Sequence, residues 1–216
     1  MSPRAKAKAR DLLIASPVAC WFGLVAFVSL REVLLASDWA TNAVERSVQL
    51  ANGVFALVLI VLFVSRPAPV ARSPGWKAIA AGVAGGLAPM TIIFLPRGAP
   101  GHSITLASNI IILVATLASV WIVLWLGRSF SILPQARKLV TGGPYRLVRH
   151  PLYLAEFVAL FGLAWQFALP WSLLLWCLAA AAQFPRMHFE ERILTETFPE
   201  YEAYAAKTPR LAPGIY

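Results

Sequence analysis

The chain has 216 residues, 59% of them hydrophobic and 13% charged, with a formal net charge of +9 and a mean hydropathy of +0.68. A soluble domain carries roughly 25% charged residues, so this much apolar sequence exceeds what one globular core of that size can hide, and lipid must cover the rest. The positive charge does not point to nucleic acid: there is no basic helix or aromatic–basic platform, and Lys and Arg cluster between long uncharged runs, as basic segments beside a membrane do.

In chain order, Arg4, Lys6, Lys8 and Arg10 precede the uncharged run Leu12–Leu30. That run is longer than the about 7–15 residues of a signal-peptide core, so it is expected to stay as a first transmembrane helix. Val48–Val64, Trp76–Leu95 and Ile104–Leu126 follow, each near the about 20 residues that span hydrocarbon. Leu152–Phe184 is too long for one span and is interrupted by Pro170, which cannot donate a helical hydrogen bond. It reads as two helices in a hairpin turning at Ala168–Trp171. In the tail, Phe189, Ile193, Leu194 and Phe198 recur at helical spacing among Glu190, Glu191, Glu196 and Glu200, the pattern of an interfacial amphipathic helix. The expected fold is all-α: a polytopic membrane helical bundle of about six transmembrane helices. Residues 1–126 form its N-terminal helices, and residues 127–216 its cofactor-binding region.

Lys and Arg alternate between rich and poor segments along the chain, high before the first span and again after the second and fourth. The positive-inside rule then puts both termini in the cytoplasm, consistent with a bacterial inner membrane. The polar sequence is concentrated in residues 127–151 and 186–216. A hairpin between them returns the chain to one side, so the two segments should meet at the cytoplasmic interface, where a water-soluble cofactor reaches a membrane-embedded substrate.

Thr141-Gly-Gly-Pro-Tyr-Arg-Leu-Val-Arg-His-Pro-Leu-Tyr153 is the densest run of chemistry-bearing residues. Gly142, Gly143 and Pro144 make a turn that lets backbone approach a ligand. Arg146, Arg149 and His150 offer donors to a carboxylate or phosphate, and Pro151 suits a helix's first turn, leaving His150 at its N-terminus. The bland reading is a basic loop with tyrosine anchors. Arg186, Glu190 and Glu191 form a second group. Arg186 and Glu190 are spaced for a surface ion pair, but opposite His150 the adjacent carboxylates suit a ribose, a sulfonium or a proton. Tyr201, Tyr204, Thr208, Pro209 and Arg210 serve either as anchors or, through Arg210, to orient an anionic group.

Glu156 is the one carboxylate well inside an apolar run and needs a partner or a purpose. Arg31 and Glu32 read as structural. Three scattered histidines make no metal site, and Cys20 and Cys177 read as small buried hydrophobes.

At these residues the chain resembles the integral membrane methyltransferases that include isoprenylcysteine carboxyl methyltransferase and the phospholipid N-methyltransferases. The stretches that carry the likeness are Leu126-Gly-Arg-Ser-Phe-Ser131, Leu139 to Tyr153, Glu190-Glu191, Phe198-Pro-Glu-Tyr-Glu-Ala-Tyr204 and Thr208-Pro-Arg210. The resemblance implies S-adenosylmethionine as cofactor, bound by Leu139, Val140, Gly143, Tyr145, His150, Tyr153, Glu190 and Glu191. It implies a lipophilic or prenylated acceptor entering from lipid, with no metal. Arg210 or Arg149 would hold a carboxylate acceptor; Glu191 or Glu156 would take the proton of an amine or hydroxyl. Two alternatives remain. Membrane sterol reductases share a His-Pro-x-Tyr turn and a Pro-x-Ile-Tyr end, here Pro213–Tyr216, which keeps an NADPH-dependent reductase in play. The other is a non-catalytic membrane protein on the same scaffold.

Overall fold

The structure, a computed structural model, describes residues 3–73, 75–131 and 133–212, so the Pro213–Tyr216 ending lies outside the described residues. Helices dominate: α1 (Pro3–Leu35), α2 (Trp39–Ser65), α3 (Trp76–Leu87), α4 (His102–Leu126), α5 (Pro151–Ala164), α6 (Trp171–Thr197) and the short α7 (Tyr201–Ala205). The strands described are β1 (Ala71–Arg72) and β2 (Gln135–Ala136), paired antiparallel. Among the described residues, four helical stretches are long and apolar enough to cross a membrane: Ser16–Leu35, Trp39–Ser65, Trp76–Phe94 and His102–Ser129.

Each long helix sorts its residues by face. On α2, Val48, Ala51, Ala56, Leu59 and Phe63 recur every three to five positions and are buried against its neighbours. On the outer face, Val61, Val114, Leu117, Trp121 and Leu124 are each more than half exposed. An apolar surface this extensive belongs against hydrocarbon rather than water. Asp38 pins the α1–α2 turn by accepting hydrogen bonds from Arg46 and Asn42. Those bonds, Arg46 first, hold its carboxyl well below the usual range.

The third expected span departs from a plain α-helix. α3 stops at Leu87 and runs on as a 3-10 helix, Ala88–Phe94. Pro89 has no N–H to return to the carbonyl of Gly85 four residues back. That carbonyl is instead satisfied from another helix, by Gln183 Nε2 of α6 at 3.0 Å.

α5 and α6 follow one another through a turn whose Leu169–Pro170 peptide is cis. α5 has 14 residues, about 21 Å of rise, against about 30 Å of hydrocarbon. It ends early because the Trp165, Gln166 and Phe167 amides turn back to the carbonyls of Gly162, Leu163 and Ala164. α6 runs unbroken past Pro185, so the charged stretch expected in the tail continues the helix itself.

The described elements have two distinct ends. At one, Gly98 N–H meets Gln166 O, Ala168 N–H meets Pro96 O, and the Arg97 guanidinium lies 4.5 Å from the centre of the Phe167 ring. At the other, Leu59, Phe63, Ile122, Val123, Phe130, Tyr145 and Leu152 form one buried cluster. This cluster ties the ends of α2 and α4 to the start of α5 and to the polar segment between them.

Candidate functional site

The polar segment after α4 lies on Trp125. Gly143 has φ of +59°, and a Cβ there would sit 2.5 Å from the Trp125 indole, so only glycine fits. The chain then makes a single 3-10 turn, Gly143–Arg146, started by Pro144, and buries Tyr145. Pro151 opens α5 and leaves His150 in the N-cap position.

α5 and α6 meet through their polar residues at this end. His150 Nε2 is 2.9 Å from Glu191 Oε1, and Tyr153 Oη donates to Glu190 Oε1 at 2.6 Å. Arg210 clasps Glu191 with two bonds, Nε to Oε1 at 2.9 Å and Nη2 to Oε2 at 2.5 Å. Arg149 Nη1 lies 3.4 Å from Glu191 Oε2. Arg186 reaches Glu190 at 3.4 Å and covers the Tyr153 ring at 4.9 Å. The tail is strapped across by backbone: Arg149 N–H to Pro209 O, and His150 N–H to Arg210 O. Tyr204 Oη adds a 2.6 Å bond to Tyr145 O.

Electrostatics follow from that crowding. Burial alone would raise the Glu191 carboxyl, but the hydrogen bonds from His150 and Arg210, with the charge of Arg149 beside them, outweigh it and hold it at about 2. Burial pushes the Tyr145 hydroxyl up and carries that of Tyr204 to about 12, so both stay protonated as donors.

A cavity of about 120 Å³ opens beside these groups. Among the expected site residues, Leu139, Val140, Tyr145, Arg149, His150, Tyr153, Glu156 and Glu190 line it; Gly143, Glu191 and Arg210 do not. Gly143 supports the loop from behind, and Glu191 and Arg210 are engaged with each other. A second, larger cavity of about 560 Å³ lies among the helices, reaching from Phe22 on α1 to Gln183 on α6. Phe130, Ser131, Leu133, Gln135, Glu156 and Arg186 line both cavities. Glu156 makes no hydrogen bond or ion pair among the described residues. The sequence reading did not single out Gln183, although a polar residue inside an apolar run is itself a signal. Among the described residues no group of three or more His, Cys, Asp or Glu is placed to hold a metal.

Two curated proteins are similar to part of this chain. The nickel-cobalt-cadmium resistance protein NccN of Alcaligenes xylosoxydans xylosoxydans is 36% identical over 107 residues, 47% of this chain and 46% of that protein. The cobalt-zinc-cadmium resistance protein CzcN of Cupriavidus metallidurans is also 36% identical over 107 residues, 47% of this chain and 45% of that protein. The chain thus spans less than half the length of either relative. Residues 101–201, from the start of α4 to the first residue of α7, match the phospholipid methyltransferase family, integral membrane methyltransferases related to isoprenylcysteine carboxyl methyltransferase.

Proposed function

We propose that this protein is an S-adenosylmethionine-dependent methyltransferase that acts on a lipophilic acceptor at the cytoplasmic face of a membrane. The observation that carries the reading is the facing of His150 and Tyr153 on α5 with Glu191 and Glu190 on α6, inside the stretch that matches the methyltransferase family. The reading takes α5 and the apolar half of α6 as two further crossings, and the charged end of α6 as interfacial.

The residues suit the cofactor by chemistry. The buried Arg149 Nε has no partner among the described residues and offers a donor to a carboxylate. Glu190 and Tyr153 offer oxygens to an ammonium or a ribose, and Tyr145, Tyr201 and Tyr204 offer aromatic faces to the base or the sulfonium. Volume is the constraint: the cleft's 120 Å³ is less than the about 150 Å³ that holds a single benzene. The whole cofactor therefore extends beyond this cleft, and lifting of the tail strap from residues 145–150 enlarges it.

When bound, S-adenosylmethionine supplies an electrophilic methyl carbon to the acceptor's lone pair, the carbon–sulfur electron pair remaining on sulfur. Glu156, on the wall shared by both cavities, takes the proton that an amine or hydroxyl acceptor gives up. Glu191 does not suit that task, because its carboxylate is held by His150 and Arg210. It positions His150 and the tail instead.

The test is calorimetric titration of purified protein with S-adenosylhomocysteine and, separately, NADPH. Saturable binding of S-adenosylhomocysteine that is lost in His150→Ala supports the reading. Binding of NADPH alone overturns it in favour of a reductase, and binding of neither favours a scaffold without catalysis.

A further inference from the structure

We infer that the 560 Å³ chamber holds the acceptor, and that the acceptor is a single-chain amine with an apolar body of about 20 carbon atoms. This rests on the methyltransferase reading for the chemistry, but its argument comes from the chamber. Size gives the body. A cavity of about 150 Å³ accepts one benzene, so this one takes roughly 20 carbons, one chain rather than the two of a membrane phospholipid. Shape agrees. The chamber is lined from Asn52 to Arg66 along α2, about 20 Å at the helical rise.

The head group follows from which polar atoms in the wall lack partners. Gln183 is 1% exposed, and its amide is fixed because Nε2 donates to Gly85 O, the carbonyl that Pro89 leaves unpaired. Its Oε1 has no hydrogen-bond partner among the described residues and is an acceptor. Glu156, on the wall between chamber and cofactor cavity, also makes no hydrogen bond or ion pair among the described residues. Arg66 is held by the Phe63 ring and Phe130 O, while Arg186, whose Nε makes no hydrogen bond, is shared between Glu190, Glu156 and the Tyr153 ring. Two carboxylates to one guanidinium, with the open Gln183 oxygen beside them, call for a group that donates hydrogen bonds and carries positive charge. An amine does both; a carboxylate does neither. Gln183 lies one helical turn deeper than Arg186 and so acts on specificity, holding the head from the chamber side while Glu156 faces the cofactor.

The experiment uses full-length protein in phosphatidylcholine nanodiscs and radiolabelled octadecylamine, octadecanoate and dioleoyl phosphatidylethanolamine. Partition into the lipid is subtracted with Ala159→Trp and Val83→Trp, each filling the chamber from a different helix and each checked for wild-type Tm. The expected result is saturable octadecylamine binding in the wild type at least tenfold tighter than octadecanoate. Gln183→Leu should weaken it about tenfold while leaving octadecanoate binding unchanged. Octadecanoate binding as tightly, dioleoyl phosphatidylethanolamine competing as well, or both chamber-filling variants binding like wild type overturns the inference. S-adenosylhomocysteine binding on the same samples separates the two readings. Its presence without amine binding removes the chamber assignment alone, and amine binding without it removes the methyltransferase assignment alone.

Discussion

His150 Nε2 and Glu191 Oε1, 41 positions apart in sequence, are 2.9 Å apart, and this contact joins the start of α5 to the polar end of α6. The same carboxylate accepts two bonds from Arg210, so three stretches of chain converge on one buried acid. Removing it leaves Arg149, His150 and Arg210 crowded together without their anion.

Glu191→Gln is therefore expected to destabilise the protein, and to do so in a pH-dependent way. The Glu191 carboxyl lies at about 2, down from an ordinary 4.5. A depressed folded-state value contributes stability that is fully present above the unfolded value and is lost as pH falls through the folded one. At pH 6 to 7 the deficit of Glu191→Gln should be about 2–3 kcal/mol, and it should shrink from pH 4.5 toward pH 2. Thermal unfolding in detergent across that range measures it; a deficit that does not change with pH would mean the ion pairs contribute nothing.

Leu211→Ala should loosen the tail without unfolding the bundle. Leu211 is buried against Tyr153 and Met187, and truncating such a leucine costs about 2–3 kcal/mol. Because the Arg149 and His150 amides bond to Pro209 and Arg210, hydrogen exchange at both amides should accelerate together while α4 stays protected. Cofactor affinity should fall as well, since the closed form becomes harder to restore. Unequal effects on the two amides would argue against a strap that moves as a unit.

Gly143→Ala tests the loop's seat on Trp125. The left-handed φ costs a residue with a Cβ about 1–2 kcal/mol, and the 2.5 Å approach to the indole adds a clash. Trp125→Leu removes the clash but not the backbone cost, so the double variant should recover only part of the loss. A double-mutant cycle reads this as a favourable coupling between the two changes. Strict additivity would show that the indole does not limit this position.

Much of the fold is legible in the sequence. The four long apolar helices follow from run length alone, and the contact of His150 with Glu191 is the meeting expected of the two polar segments that flank Leu152–Phe184. What could not be read was which charges would face the cavity and which would face each other. Glu190 and Glu191 are neighbours on one helix, roughly 100° apart around its axis; one reaches Tyr153 and the cavity, the other Arg210 and His150. The break at Pro89 was visible as a proline, yet its consequence, a carbonyl satisfied by Gln183, depends on how α3 crosses α6. The short α5 was hidden because Trp165, Phe167 and Ala168 are as apolar as a helix, while the amides of residues 165–167 turn back to the carbonyls of residues 162–164.

Single-cysteine labelling at Val140 and at Leu169 tests the orientation, after Cys20 and Cys177 are replaced. Val140 lies at the cavity and Leu169 in the turn between α5 and α6. A membrane-impermeant reagent should reach Val140→Cys from the cytoplasmic side and Leu169→Cys from the opposite side. The reverse pattern would put the site outside the cell and remove its access to cytoplasmic cofactor.

Glu156→Gln separates proton transfer from binding. Glu156 lines both cavities and has no hydrogen-bond or ion-pair partner among the described residues, so amide replacement disturbs little in the resting structure. If it takes the acceptor's proton, kcat should fall by about 10²–10⁴, the range for loss of a positioned base. S-adenosylhomocysteine affinity should stay within a factor of two, because Arg149, His150, Tyr153 and Glu190 are untouched. The rate should also recover with rising pH in the variant, as the acceptor loses its proton to solvent without help. A variant with unchanged kcat would move the base to another residue; one that loses cofactor affinity as well would make Glu156 part of the cofactor's own site.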